Sequence, residues 1–477
     1  MVYNISRILI SGLRGGSGKT ILSLGLLSIL RGKNLKPVPF KKGPDFIDAG
    51  WLSSAAQGEC YNLDLFMMSP EQIRDSFISH TCREDNEKTE GHSRSSQREV
   101  MAIIEGNRGL YDGMNHQGTY STAELAKLLK VPVLIVVDCA KATTTIAAML
   151  LGCIYFDRDV HIKGVLLNNL ANSRQEAVIR RAIMERCGIP VVGAFPRLKE
   201  NPLSERHMGL TPSQEHEKTT EVIDIIRQLA ERYIDIDAVI NIARATEPII
   251  YEKTSHPACV GKAQTPPRIG VIRDSAFQFY YPENLEGLRR AGAIVVDISA
   301  INDRSIPDID CLYIGGGFPE THAHILAGNE EFKASLRDAI ERGLPVYAEC
   351  GGLMYLGKEL VINGKRYPMV GVLPLTFNLE DTPVAHGYTI IEVEKENPYL
   401  LRGTILKGHE FHYSRVMDGQ WDDCYFAFRL RRGKGIKDGM DGICYKNLLA
   451  TYTHLHAIGS PEWTEGMMRA SRIKNPL

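Results

Sequence analysis

The stretch from Arg7 to Thr20, RILISGLRGGSGKT, constrains the fold of this chain most. A short apolar run enters a glycine-rich turn that closes on Gly18, Lys19 and Thr20 at the mouth of an amphipathic segment. A strand that feeds a helix through glycines turns successive backbone N–H groups toward the positive end of that helix, which makes a concave anion site. Gly15, Gly16, Ser17 and Gly18 are expected to cradle phosphates, with Lys19 reaching the outer ones and Thr20 sitting on Mg²⁺, so phosphate is the expected guest. The spacing departs from G-x-x-x-x-G-K-[ST]: Leu13 stands where the first glycine belongs, and Gly12 lies one residue further back.

At 477 residues the chain is too long for one ordinary core, and two large domains are expected. A net charge of -1 with 24% charged residues gives no electrostatic attraction for nucleic acid or an anionic membrane, which favours small-molecule chemistry. The ten cysteines are scattered without a C-x-x-C pair, which argues against a disulfide framework or structural zinc. The N-terminus enters a strand without a basic leader, and no apolar run is long enough to cross a bilayer, so the expected compartment is cytoplasmic.

The fold class expected is α/β. In the first half, strand-like runs at Arg7–Ser11, Lys36–Phe40, Val100–Ile104, Val133–Asp138, Ile162–Leu167 and Val191–Phe195 alternate with helical patterns such as Ile21–Arg31, the signature of a mostly parallel sheet. Ser121-Thr122-Ala123-Glu124 reads as a capping box. Arg83 to Glu99 is polar and reads as an insertion or a solvated helix extension. The first domain is placed at 1–245, a proline-rich linker at 246–267, a second α/β domain at 268–459 and a peripheral tail at 460–477. Strands of the second domain are expected at Arg268–Ile272, Ile294–Asp297, Cys311–Ile314 and Pro345–Ala348.

Three acidic stretches stand at strand ends, where open α/β sheets bind ligands. Lys41-Lys42-Gly43-Pro44-Asp45-Phe46-Ile47-Asp48 places two lysines beside two aspartates, which suits phosphates, a metal and a substrate carboxylate. Ile103-Ile104-Glu105-Gly106 carries an apolar strand into a carboxylate that can meet Mg²⁺ or its water shell, and it continues into a polar loop with Tyr111 and Asp112. Asp138 serves equally well as a turn residue. Asn168 is placed either to read an adenine edge or to cap a helix.

In the second half, Pro345 to Met354 carries Cys350 from a buried strand into a Gly351-Gly352 turn, a nucleophile elbow at which the helix dipole is expected to lower the thiol pKa. Gly315-Gly316-Gly317-Phe318-Pro319-Glu320 is a second glycine turn whose N–H groups suit an oxyanion hole. A cysteine nucleophile needs a base, and His454 and His456 both offer one, with spacing unable to choose between them; His409 and His412 form a second polar cluster.

With these motifs the chain resembles the cobyrinic acid a,c-diamide synthase family, glutamine-dependent amidases of corrinoid synthesis. RGGSGKT, KKGPDFIDAGWL, IEGNRGLYDG, GVLLNN, ERHMGL, DSAFQFYYPEN, GGGFPE, ECGG and YTHLH follow in the family's order over nearly the whole chain. The glycine turn itself resembles the deviant P-loops of partitioning-type ATPases and the dethiobiotin synthetase group, with Arg14 where some of those carry a second lysine. The resemblance implies a P-loop amide synthetase domain followed by a class I glutamine amidotransferase domain. Cys350 would attack glutamine, with His454 as base and acid and with Gly316, Gly317 and Gly351 at the oxyanion and glutamine. The released ammonia would displace phosphate from a macrocycle carboxylate activated by ATP and Mg²⁺. Thr20, Asp45 and Glu105 match the metal positions; Lys42, Asp48, Tyr111 and Asp112 are placed toward the substrate, and Asn168 toward the nucleotide.

In the wider amidotransferase pattern a glutamate two residues after the histidine orients it; here that position is His456, and Glu410 is one candidate to replace it. Cobyrinate is the substrate the resemblance implies, with glutamine as nitrogen donor, ligation as the reaction and cobalamin biosynthesis as the setting. Hydrogenobyrinate and nickel-sirohydrochlorin, amidated at the same positions by relatives, are the alternatives, and a homodimer is compatible. A P-loop switch of the partitioning type is the rival from another class, against which Cys350 and GGGFPE count.

Overall fold

The computed structural model describes residues 1–82, 98–198, 202–203, 205–206, 209–216, 218–252, 265–417 and 423–473. The expected insertion lies outside the described residues from 83 to 97, as do the middle of the linker, part of the ERHMGL motif and the end of the tail. The chain divides into two compact units, Met1–Ser255 and His256–Leu477.

In the first unit, seven strands among the described residues form one sheet in the order Tyr61–Leu63, Leu35–Lys42, Glu99–Gly109, Ser6–Gly12, Val133–Asp138, Ile162–Leu170 and Val191–Pro196. Every neighbouring pair is parallel. Parallel strands are covered on both faces, which is why these segments read as unbroken apolar runs. The helix Lys19–Gly32 buries Leu22, Leu24, Leu26, Leu27 and Leu30 because it lies between the sheet and a second layer. Gly25 is the point of closest approach there: a Cβ on it would fall 2.5 Å from the Ala230 Cβ of the helix Thr219–Tyr233. The helical stretch expected around Val222 to Ala243 is two helices, since Asp235 starts a new one, Ile236–Arg244, by accepting from the Ala238 N–H at 3.0 Å. Ser121 caps Thr122–Leu128 as expected, accepting from Glu124 N–H at 3.4 Å, but Glu124 turns to Lys127 and the reciprocal half of the box is not made.

The parallel arrangement brings one end of every strand to the same edge. Gly12, Lys41, Lys42, Glu105, Asp138 and Asn168 all arrive there, and Lys41 stands opposite Glu105 in register.

In the second unit, ten strands among the described residues form a sheet that is parallel in its first half and antiparallel in its second. The parallel half runs Ile294–Ile298, Arg268–Ile272, Cys311–Ile314, Val346–Glu349, Leu448–Thr451. The antiparallel half continues through Met440–Tyr445, Tyr425–Arg432, Ala385–Val393, Ile405–His412 and His454–Leu455. A four-stranded sheet, ordered Lys365–Pro368, Glu359–Ile362, Thr376–Leu379, Ser414–Val416, sits within the same unit. Its hairpin turns on Asn363 and Gly364, both at positive φ (50° and 77°), the pair that a tight two-residue turn requires. The expected peripheral tail is corrected by its burial: helix Pro461–Ala470 inserts Trp463 and Met467, both fully buried, and Trp463 packs edge-on against Tyr313 and Tyr347 at 5.1 and 5.9 Å.

Candidate active site

Each unit carries one site. In the first, Gly18 takes φ 91° directly before the helix and Gly16 takes φ 71°, so the turn needs glycine at both. Ser17 holds the loop by donating from Oγ to the Arg14 carbonyl at 2.7 Å. A Cβ placed on Gly15 or Gly16 meets nothing within 4 Å, which leaves the outside of the cradle open to a ligand.

Lys19 donates from Nζ to the Arg108 carbonyl at 2.8 Å. That carbonyl is where it is because the strand Glu99–Gly109 outruns the expected Val100–Ile104. Its register against Ser6–Gly12 slips after Glu105, and Arg108 adopts φ 52°. Burial lowers the Lys19 pKa, opposed by Glu105. Thr20 Oγ1 lies 3.3 Å from Glu105 Oε1.

Lys41, fully buried, lies between two acids, 2.6 Å from Glu105 Oε1 and 2.5 Å from Asp48 Oδ2. Burial alone would lower its pKa, but Asp48 and Glu105 together hold it well above the ordinary value. Burial likewise pushes Asp48 up, and the Lys41 ammonium overcomes it, leaving Asp48 below the usual carboxylate range. Asp45 goes the other way: burial, with the Asp48 charge beside it, raises it to about 7. Its Oδ1 accepts the Asp48 N–H at 2.9 Å, ahead of the helix Ile47–Ala56.

The metal expectation can be tested on the donors. Glu105 Oε2 is buried and makes no hydrogen bond among the described residues, while Oε1 faces Thr20. Among the described residues no group of three or more His, Cys, Asp or Glu side chains could hold a metal. Mg²⁺ fits this set nonetheless, because it takes one or two protein oxygens and fills its octahedron with phosphate oxygens and water.

Other expected residues serve the frame. Asn168 donates from Nδ2 to the Ser17 carbonyl at 2.9 Å, so its amide N–H braces the phosphate loop. Tyr111 donates its hydroxyl to the Cys153 carbonyl at 2.7 Å. Asp112 closes a turn by accepting the Gly109 N–H at 2.8 Å. Lys42 is buried, and burial lowers its pKa against the pull of Asp64. Arg14, largely exposed, pairs with Asp138 at 2.6 Å.

In the second unit, Cys350 follows the strand Val346–Glu349 at φ 46° and ψ −98°, a strained conformation for a residue with a Cβ and costing of order 1–3 kcal/mol. Its N–H donates to the Thr451 carbonyl at 2.8 Å, and Gly352 N–H donates to Gly315 at 3.1 Å; these bonds hold the elbow. The expected lowering of the thiol pKa is corrected. Burial, followed by the charge of Glu320, pushes the thiol up, and the helix behind it, Gly351–Leu356, has only six residues with which to oppose that.

The three glycines have different tasks. Gly316 is bridged to Phe279, whose N–H donates to its carbonyl at 3.0 Å, and a Cβ on Gly316 would lie 2.5 Å from His454 Cε1. Gly316 therefore makes room for the imidazole. A Cβ on Gly351 would stand 3.0 Å from Gly317 N, so the two backbones face each other beside the thiol.

The two histidines have different partners. The strand His454–Leu455 stops before His456, so the alternation read from the sequence does not extend to it. His454 Nδ1 lies 3.1 Å from Glu349 Oε2, and its ring stacks on His409 at 4.9 Å. His456, fully buried, faces Glu283 at 3.6 Å and Tyr281 at 4.7 Å. His409 is held well below its ordinary pKa by burial and by His454. His412 stacks on Tyr452 at 3.6 Å. Glu410 is corrected as the orienting acid: its two oxygens accept the N–H groups of Lys434 at 2.6 Å and Gly435 at 3.0 Å.

Sequence reading passed over Lys41 as the bridge between acids and Glu349 as the partner of His454. Glu349 carried a signal, a charge in the otherwise apolar strand Val346–Glu349, which burial obliges to be paired; Lys41 shares its strand with Lys36 and Lys42 and did not stand out in that way.

Comparison with known proteins gives two family matches, an AAA domain over residues 6–202 and a CobB/CobQ-like glutamine amidotransferase domain over 268–462. Among curated relatives, the cobyrinate a,c-diamide synthase of Magnetococcus marinus is 39% identical, with 98% of each chain covered. That of Archaeoglobus fulgidus is 38% identical over 95% of this chain and 94% of the relative. That of Methanosarcina barkeri is 37% identical over 99% and 97%.

Proposed function

Since the chain belongs to the cobyrinate a,c-diamide synthase family of glutamine-dependent amidotransferase ligases, we propose that it amidates the a and c acetate carboxylates of cobyrinate in the cytoplasm, using ATP and glutamine. In the second unit, His454 takes the Cys350 proton and the sulfur adds to the side-chain carbonyl of glutamine. Collapse breaks the C–N bond, the departing nitrogen recovers the proton from His454, and ammonia leaves a thioester that water converts to glutamate. Gly317 and Gly351 N–H groups face the developing oxyanion.

A thiol whose ordinary form is the protonated one suits this order of events, because the nucleophile is released only when His454 accepts its proton. In the first unit, a substrate carboxylate attacks the outer phosphorus of ATP to give an acyl phosphate and ADP. Ammonia then displaces phosphate and leaves the amide. Lys19 and the glycine cradle bind the phosphates, while Lys41 and Lys42 lie at the strand edge where a carboxylate and a phosphoryl group meet. Thr20 and Glu105 would hold Mg²⁺, which neutralises charge on the transferred phosphoryl group.

The observation that carries this reading is the elbow itself: Cys350 at positive φ ahead of Gly351, which faces Gly317, in the same unit as a histidine for which Gly316 makes room and which is already held by a carboxylate. The test is product mass after incubation with ATP, Mg²⁺ and glutamine, offering cobyrinate, hydrogenobyrinate and nickel-sirohydrochlorin separately. Cobyrinate is expected to gain two amides. Cys350→Ala should do so only with ammonia. Exclusive use of another macrocycle would move the substrate and keep the mechanism, whereas ATP turnover without amidation of any would refute it.

A further inference from the structure

We propose that Glu349 is the positioning carboxylate of the glutamine-hydrolysing site, moved from the strand after the histidine to the residue before the nucleophile. This rests on the reading of Cys350 and His454 as nucleophile and base.

The geometry is specific. Glu349 Oε2 lies 3.1 Å from His454 Nδ1 and accepts the Tyr313 hydroxyl at the same distance; Oε1 accepts the Leu455 N–H at 3.3 Å. Both side chains of the Glu349–His454 pair are 2% exposed, so water does not compete for these bonds. Three donors converge on one buried carboxylate, which compensates for its burial and fixes its plane. The competing acids are engaged elsewhere: Glu283 faces His456, and Glu410 accepts two backbone N–H groups of the turn after Arg432.

The chemical consequence follows from the two ring nitrogens. With Nδ1–H donating to Glu349, the lone pair is on Nε2, and Nε2 lies over Gly316, 3.3 Å from where a Cβ would stand. The next residue of that turn is Gly317, whose backbone faces Gly351 next to the thiol. Nε2 takes the thiol proton and later returns it to the departing ammonia, while Glu349 stabilises the imidazolium between these steps without itself exchanging a proton.

Placement on the nucleophile's own strand fixes two partners with one piece of backbone. Glu349 is in parallel register with Thr451, the residue whose carbonyl holds Cys350 N–H, so the orienter and the nucleophile move together. A carboxylate two residues after the histidine would be tied to the base instead. Here that position is filled by His456, which is itself buried in a different pairing.

The experiment uses the full chain with ¹⁵N-labelled histidine. Neutral His454, assigned by the signal lost in His454→Gln, is expected to carry its proton on Nδ1. Glu349→Gln turns an N–H toward that nitrogen and favours the opposite tautomer. It should lower kcat for glutamine hydrolysis by about 10³- to 10⁴-fold while KM for glutamine stays within about threefold, with Glu349→Asp restoring part of the loss. An Nε2–H tautomer in the unmodified chain overturns the proposal, as does a Glu349→Gln kcat within about tenfold of the parent. The tautomer alone decides the matter if that variant does not fold. Cys350→Ala separates the two levels: if it hydrolyses glutamine at the parent rate, the nucleophile reading has failed, and if it is inactive beside an active Glu349→Gln, only the positioning role has failed.

Discussion

Replacing Lys41 by methionine preserves the length and much of the apolar volume of the side chain while removing the charge that lies between Glu105 and Asp48. Glu105 is fully buried, so the change strands a carboxylate in the centre of the parallel sheet. Removing one partner of a buried ion pair costs about 3–5 kcal/mol, which is about 10²- to 5 × 10³-fold in a local opening equilibrium. Asp48 can relieve part of this by taking up a proton, and that makes the effect depend on pH. In the parent chain Asp48 sits below the usual carboxylate range, so its contribution is present above the unfolded value of about 3.9 and fades as pH falls through the folded one. In Lys41→Met the burial that Lys41 no longer offsets raises Asp48, so the variant is penalised most at neutral pH and least in acid. Amide hydrogen exchange resolved on the strand Glu99–Gly109 reads this within the first unit, without assuming that the whole chain unfolds in one step. At neutral pH its protection should fall by about 10²-fold or more, and the gap to the parent should narrow below about pH 4. Protection within about fourfold of the parent at neutral pH would refute the buried-pair argument.

Two further changes test the neighbouring claims. Gly317→Ala places a Cβ 2.0 Å from the Ala276 carbonyl oxygen, a backbone atom with nowhere to go, so glutamine hydrolysis should fall by more than about 10²-fold and urea stability of the second unit should drop by about 1–3 kcal/mol. Asp45, raised to about 7, contributes stability that is full below the usual carboxylate range and is lost as pH rises through about 7. Asp45→Asn should therefore flatten the decline in first-unit unfolding midpoint between about pH 4 and 7, and an unchanged slope would count against that assignment.

The parallel sheet was legible because strands buried on both faces must be apolar along their whole length: Val133–Asp138, Arg268–Ile272 and Cys311–Ile314 begin and end where the sequence reading places them. Glu99–Gly109 was not, since its last residues are polar and are drawn into the sheet by a register slip and by contacts from Lys19 and Thr122 that lie far off in sequence. The antiparallel half of the second sheet was only coarsely visible for the same reason, its strands alternating against partners that sequence does not identify. Lys19, Thr20, Glu105 and Cys350 could be named from local motifs. What each touches could not: Lys41 bridges Asp48 of its own stretch to Glu105, 64 residues further on, and the acid beside His454 lies 105 residues before it. Helix Pro70–Thr81 carried an unread local signal, Ser69 and Gln72 forming a complete capping box ahead of Pro70.

The parallel register between Val346–Glu349 and Leu448–Thr451 has an evolutionary consequence. The chain leaves the end of this strand at Cys350, travels through a small sheet and a run of antiparallel strands, and returns beside its point of departure. The ends of that excursion are welded by strand pairing, so its length is nearly free: lengthening a surface loop costs only about 0.6 kcal/mol per doubling. The Asn363-Gly364 hairpin tip is the natural place for such growth, since Gly364 has open space around it. Related chains can therefore acquire new surfaces at this tip while the elbow behind it keeps its place.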